Sequence, residues 1–322
     1  MGDPPRRIAV TGAAGFLGRA TVARLSELPA TELVAAVDLG PTPGPPGKTR
    51  RVVSVIRDVR SALDDVLAGY EIDAVVHLAY LLRPERDETL ARSVNVTATE
   101  RLLASCAAAG VKQFVYLSST TVYGAHPSYS RPYTEDDPAS PTRGFQYSEH
   151  KAAAEKLVLG HAAGDSGAAA SILRGCVIMA PGADNFIARS LGRRLLPAPM
   201  GANPPMQFLH VDDYVTAVEA ALVQGARGIY NIAGDGAVPW RDVAAISGAR
   251  PVPVPAPVLR AAVGLSWKLG LQGQSPASGL DLIRYPWLAS TEKIRRELGW
   301  SPRYTSEQAL RSWVEARRGR GG

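Results

Sequence analysis

A chain of 322 residues that is 46% hydrophobic and 20% charged can bury a large core, which excludes a disordered or low-complexity protein and leaves room for two lobes. The net charge of +6 sits mostly at the ends, +1 in Met1–Arg7 and +3 in Arg311–Gly322, leaving +2 for the body, and the run Arg317-Arg318-Gly319-Arg320 reads as a solvated terminus rather than a nucleic-acid footprint. No apolar run approaches the roughly 18 residues of a membrane span, and Met1–Arg7 lacks the apolar segment of a signal peptide, so the expectation is a cytoplasmic protein with no membrane or nucleic-acid partner. Cys106 and Cys176 each lie in an apolar stretch and suit buried free thiols better than a bridge or a metal site.

Arg7 to Gly12 reads as a buried strand running into Thr11-Gly12-Ala13-Ala14-Gly15-Phe16-Leu17-Gly18, with an amphipathic helix following through Leu28. Such a turn binds phosphate. Gly12 permits the turn, Gly15 lets backbone N–H groups approach a pyrophosphate, and Gly18 allows helix to pack on strand. A second strand, Glu32 to Val37, ends in Asp38, 20 positions after Gly18, where a carboxylate can hold a ribose diol and repel a 2′-phosphate. This favours NAD over NADP, with Lys48, Arg50 and Arg51 near enough in sequence to moderate the preference. Pro- and Gly-rich Gly40 to Gly47 is a surface loop. A third strand, Val52 to Ile56, leads to Asp58 and Val59; Asp58 either faces the adenine or caps a helix from Val59 to Leu67.

Asp73 to Leu78 is a fourth strand, and His77-Leu78-Ala79-Tyr80 brings backbone to the carboxyl edge, where ligands bind in such sheets, with His77 itself structural. A long helix from about Arg86 to Ala109 carries Asn95. Gln113 to Leu117 is a fifth strand ending in Ser118-Ser119-Thr120-Thr121, and a polar, proline-containing loop from Gly124 to Gly144 is long enough to wall a substrate site. Alternation of strand and helix implies an α/β protein, a Rossmann-like doubly wound parallel sheet. Tyr147 and Lys151 then stand at i and i+4 of a helix, so the ammonium can sit near the phenol and draw it from about 10 towards neutrality, as a general acid/base requires.

The glycine turn with Asp38, Ser118-Ser119-Thr120-Thr121-Val122-Tyr123-Gly124, and Tyr147 with Lys151 together resemble the extended short-chain dehydrogenase/reductase family, the NAD-dependent epimerase/dehydratase group. Ile172-Leu173-Arg174, Phe208-Leu209-His210-Val211-Asp212-Asp213 and Glu297-Leu298-Gly299-Trp300 extend the resemblance over nearly the whole chain. It implies that Tyr147 is the acid/base, that Lys151 bonds the nicotinamide ribose, and that Ser119, three before Val122, orients the reacting oxygen, with Thr120 as the fallback. It also implies that Asn95 supports the cofactor site, the alternative being an asparagine bonded to a neighbouring loop backbone. Cys176 either lies beside the nicotinamide or fills space. A homodimer through the helices near Arg86–Ala109 and Tyr147–His161 is the family's common assembly.

Beyond Pro181 the pattern turns irregular before Gln207 to Val211 returns to the sheet. Val211 to Val223 is helical, Ile229 to Ala233 is a strand, and Trp240 to Arg318 reads as helices joined by the proline-rich Arg250 to Pro257. Residues 1–178 with 206–234 are assigned to the dinucleotide-binding domain, 179–205 with 235–318 to a smaller substrate lobe, and 319–322 to a flexible tail. The chain departs from the sugar-nucleotide branch of the family: Met206 replaces an arginine, Val177 replaces an asparagine, and Thr120-Thr121 offers no carboxylate for dehydration. A less anionic substrate is expected, an apolar alcohol or ketone, unless Arg193, Arg194 or Arg284 substitutes for the missing cations. The leading reading is an NAD-dependent dehydrogenase or reductase. Its rivals are an NAD-dependent epimerase and a non-catalytic NAD(P)-sensing protein.

Overall fold

Runs of Val, Ile, Leu and Ala too short for helices form the central sheet, and the strands at its middle are buried along nearly their whole length, as a parallel sheet covered on both faces demands. A computed structural model of the chain describes residues 4–42, 44, 51–82, 87–164, 168–273 and 275–319. Six strands come first: β1 (Arg7–Thr11), β2 (Leu33–Asp38), β3 (Val52–Ile56), β4 (Ala74–His77), β5 (Gln113–Ser119) and β6 (Ala169–Gly175). Then follow β7 (Val177–Ile178), β8 (Leu195–Pro199), β9 (Pro205–Met206), β10 (Phe208–Leu209), β11 (Gly228–Ile232), β12 (Val238–Pro239) and β13 (Arg250–Val254). The main sheet has seven strands in the order β3-β2-β1-β4-β5-β6-β11, every pair parallel. Chain order reverses between β1 and β4. That opens a crevice at their carboxyl ends, where such sheets bind ligands.

The helices are α1 (Phe16–Glu27), α2 (Asp64–Gly69), α3 (Glu88–Arg92), α4 (Ala98–Ala108), α5 (Gln146–Ala163), α6 (Phe186–Leu191), α7 (Val211–Val223), α8 (Trp240–Ser247), α9 (Ala256–Lys268), α10 (Glu292–Leu298) and α11 (Ser306–Arg318). Alternation along β1 sends Ile8 and Val10 to one core, with Val22 and Leu25 of α1, Tyr214 and Val218 of α7 and Ile294 of α10. Ala9 faces the other core, with Leu67 of α2, Leu102 of α4 and Val158 of α5. A third core joins Met179, Ile187, Met206, Trp240, Trp287 and Trp313 in the C-terminal lobe.

Three sequence expectations are corrected. No helix starts at Val59: Arg60 N–H bonds the Asp58 carboxylate and Ser61 N–H its carbonyl, making a turn, so α2 starts at Asp64. The helix expected from about Arg86, a residue outside those described, to Ala109 runs without a break from Glu88 to Ala108, with one wider turn at Ser93–Thr97 that carries Asn95. Phe208–Leu209 pairs with Val177–Ile178 and not with the main sheet. Arg250–Val254 is a strand, parallel to β8, and its prolines are tolerated because each strand of a two-stranded ribbon keeps one free edge.

Candidate functional site

The turn after β1 is built for close backbone approach. Gly12 has φ +72°, and a Cβ there would lie 2.6 Å from the Ala79 nitrogen, so only glycine lets this turn rest on the loop after β4. A Cβ on Gly18 would lie 2.0 Å from the Gly12 carbonyl oxygen. The N-cap of α1 is Gly15, with no side-chain cap, so the first-turn N–H groups at the positive end of the helix dipole are left for an anion. These residues fit the pyrophosphate of a dinucleotide. Gly18→Ala is therefore expected to force helix off strand at about 1–3 kcal/mol and weaken NAD binding at least ~10-fold by titration. Gly40→Ala, which meets nothing within 4 Å, should leave affinity unchanged.

Asp38 ends β2 beside this turn. Its carboxylate accepts from Ala14 N–H at 2.9 Å and Leu39 N–H at 2.6 Å, which fixes it while leaving lone pairs for a ribose diol. Arg51 does not balance it: the guanidinium donates to the Leu28 carbonyl at 3.1 Å, and Arg51 precedes Val52, which pairs with Val34 at the far end of the strands. Lys48 and Arg50 lie outside the described residues. Asp58 is held bidentately by Arg60, at 2.6–3.1 Å, a bond that keeps its carboxyl below the usual range. Val59 beside it is half-buried.

The catalytic candidates converge. Tyr147 and Ser119 line one cavity, and the Ser119 Oγ accepts from Thr121 N–H at 3.2 Å and from Thr121 Oγ1 at 3.0 Å. With two donors occupying its lone pairs, the serine keeps its own proton to give to an oxygen in the cavity. Thr120, the fallback, is buried and its hydroxyl has no partner among the described residues. Lys151 donates to the Leu117 carbonyl at 2.6 Å, with its ammonium 4.1 Å from the centre of the Tyr80 ring. The Tyr80 hydroxyl donates to the Tyr147 carbonyl at 3.1 Å.

One electrostatic expectation is corrected. Burial pushes the Tyr147 phenol above its ordinary range, and the neighbouring Ser119 hydroxyl, not Lys151, acts in the opposite direction. The lysine is itself pushed down to about 7 by burial, with Glu155 acting the other way. Both groups sit where water cannot solvate their charges, and desolvation outweighs the attraction expected from the i, i+4 spacing.

Beneath them lies a network the sequence did not disclose. Glu155, one turn past Lys151, accepts from Ser118 Oγ at 2.5 Å and from Arg174 Nε and Nη2 at 3.0 and 2.7 Å, with both charged side chains only 3% exposed. Its signal was a glutamate continuing the Tyr147, Lys151 spacing among alanines. Asn95 accepts from Leu81 N–H at 2.8 Å and reaches its carbonyl, which matches the loop-bonding alternative and pins the loop carrying Leu78, Ala79 and Tyr80. His77 is structural, bonded to Thr11 and Thr99 and pushed by burial to about 3.

One cavity of about 460 Å³ gathers Gly12, Gly15, Phe16, Leu17, Gly18, Leu78, Tyr80, Ser118, Ser119, Tyr147, Lys151 and Cys176. Asp38, Asp58, Val59, Ala79 and Asn95 lie outside its lining. Cys176 is buried, its thiol pushed up to about 12. Phe145, Phe186, Ile187, Leu282 and Trp287 close the far side, and Asp184 is the one carboxylate on the wall. No local pattern marks these residues, because contacts across a hundred or more positions leave no periodicity. None of the Gly124–Gly144 loop lines the cavity: Tyr133 stacks on Tyr123 at 4.8 Å and its N–H bonds the Leu288 carbonyl. Arg194 and Arg284 are exposed and absent from the lining, Arg193 lines with Arg189 and Arg317 a second cavity that shares Ala183 and Asp184 with this one, Met206 is buried, and Val177 is on the wall. Lys151 is thus the only cation among the described residues lining the first cavity.

Comparison with known proteins agrees with this geometry. An uncharacterised protein of Mycobacterium tuberculosis (strain ATCC 25618 / H37Rv) is 30% identical over 97% of this chain and 84% of its own length. A dTDP-glucose 4,6-dehydratase of Streptomyces griseus is 30% identical over 91% of this chain and 88% of its own. The structure of MoeE5 in complex with UDP-glucuronic acid and NAD superposes with a TM-score of 0.77 at 26% identity, covering 99% of this chain and all of that one. Residues 8–233 match the family described as NAD dependent epimerase/dehydratase, and the chain belongs to that family.

Proposed function

We propose that this enzyme is an NAD-dependent oxidoreductase that moves a hydride between nicotinamide and the carbon of a secondary alcohol or ketone, with Tyr147 as acid/base. The observation that carries the reading is the convergence of Tyr147, Ser119 and Lys151 on the cavity that also holds the glycine turn. NAD, when bound, supplies the hydride acceptor and, oxidised, a positive ring that favours phenolate. Tyr147 takes the proton of the substrate hydroxyl as its carbon is oxidised and returns it in the reverse direction. Ser119, held by two Thr121 donors, orients the same oxygen, and Lys151 holds ribose hydroxyls at the cavity floor. Phe145, Leu282 and Trp287 exclude water from the step.

Asp38 supports NAD as the preferred dinucleotide. Wild-type protein is expected to bind NAD at least ~10-fold tighter than NADP, about 1.4 kcal/mol, and Asp38→Asn should bring the ratio close to one by fluorescence titration. Preference for NADP in the wild type contradicts the assignment.

An NAD-dependent epimerase, which takes and returns the same hydride, is the second reading, favoured by the UDP-sugar bound in MoeE5. The wall around Tyr147 holds no arginine among the described residues, which supports a less anionic reacting group, while Arg189, Arg193 and Arg317 of the adjoining cavity are the cations within reach of an anionic extension. Dehydration is disfavoured because Thr121, not an acid, stands beside Ser119. Screening alcohols, ketones and nucleotide sugars by reduced-cofactor absorbance separates the readings. Net reduction with an alcohol supports the first; micromolar binding of a uridine or thymidine diphosphate sugar without net cofactor change supports the second.

A further inference from the structure

Helix α9 turns an apolar stripe to the solvent. Val258, Leu265 and Leu269 recur at spacings of seven and four, which puts them on one line, and they are 57%, 59% and 63% exposed, with exposed Ala262 between them. Leu259 is the only buried residue of the helix. Leu271, just past its end, is exposed as well, as are Leu195 and Met200 on and beside β8, the strand the helix packs against. A monomer rarely leaves so continuous a stripe uncovered.

The charge around the stripe says what covers it. From Val243 to Leu280 and from Asn185 to Val211 the sequence has no Asp or Glu. Arg194, Arg250 and Lys268 are exposed, and none has a carboxylate partner among the described residues. A second copy meeting this patch across a twofold axis sets these cations against themselves. An apolar stripe flanked by unpaired cations matches instead the headgroup region of a bilayer rich in anionic lipid, where the leucines enter the acyl boundary and the cations meet phosphates.

We propose that the outward face of α9, with the cationic ribbon beside it, docks on an anionic membrane surface. No helix among the described residues is long and apolar enough to cross a membrane, which bears on spanning one and not on lying against one. The inner side of α9 packs on Ala277–Ile283, whose Leu282 walls the catalytic cavity, so one turn of chain separates the docking face from the site.

Sedimentation of the full chain with phosphatidylcholine vesicles, with and without phosphatidylglycerol, tests this. Binding is expected to the anionic vesicles only and to weaken as salt rises. Leu265→Glu with Leu269→Glu should lower the bound fraction at least ~10-fold with the melting temperature and NAD affinity unchanged, and Arg250→Glu with Lys268→Glu should do the same. Failure to sediment with anionic vesicles, equal binding to neutral ones, or undiminished binding by both double variants overturns the proposal. So does a solution dimer that the leucine substitutions convert to monomer without any vesicle binding. Turnover is not read here, so a failed reaction assignment would leave this result standing.

Discussion

Tyr147→Phe is expected to lower turnover by about 10²–10⁴-fold, the range for a positioned proton donor or acceptor, while NAD affinity stays within about twofold. The ring keeps its packing against Tyr80 and Phe145, at centroid distances of 5.3 and 6.0 Å, so the substitution removes only the hydroxyl. The pH profile supplies a second sign. Burial holds the phenol above its ordinary range, so alcohol oxidation, which needs phenolate, should rise with pH across the neutral and alkaline range, and Tyr147→Phe should lose that limb. Ser119→Ala removes the neighbouring hydroxyl that favours phenolate and should displace the limb to higher pH. Undiminished turnover in the phenylalanine variant contradicts the assignment.

Arg174→Leu is expected to cost about 3–5 kcal/mol of stability, because it leaves the Glu155 carboxylate buried with only a serine hydroxyl. At about 2–4 °C per kcal/mol in a protein of this size class, calorimetry should show a fall of ~10 °C. Combining it with Glu155→Leu removes the orphaned charge, so the double variant should be more stable than Arg174→Leu alone. The pair joins β6 to α5, and through Ser118 to β5, so it fixes the helix carrying Tyr147 and Lys151 against the strand carrying Ser119. A single variant melting with the wild type would mean that water reaches this pair.

The central sheet was legible because each strand is a short apolar run bounded by Gly, Pro or Asp, and the glycine turn because Gly12 and Gly18 admit no Cβ where they stand. Tyr147 and Lys151 share a helical spacing that many helices show by chance, and it was the family resemblance that singled them out together with Ser119; the three line one cavity. What spacing could not convey was solvation. The same i, i+4 pair that promises an ammonium beside a phenolate sits in the structure where burial opposes both charges, and the lysine bonds the Leu117 carbonyl. The lobe was illegible for a different reason. Phe145, Leu282 and Trp287 reach one wall from segments more than a hundred residues apart, and the β8–β13 ribbon pairs proline-rich stretches that carry no strand pattern.

A crystal of the NAD complex, read for the position of the nicotinamide ring, is the decisive measurement. Pyrophosphate is expected on the first turn of α1, ribose hydroxyls on Asp38 at one end and Lys151 at the other, and the reactive ring carbon facing the Tyr147 hydroxyl across space for one substrate oxygen. A ring lying outside the cavity, or the Tyr147 hydroxyl turned from it beyond the reach of one bridging oxygen, would contradict the assignment of Tyr147.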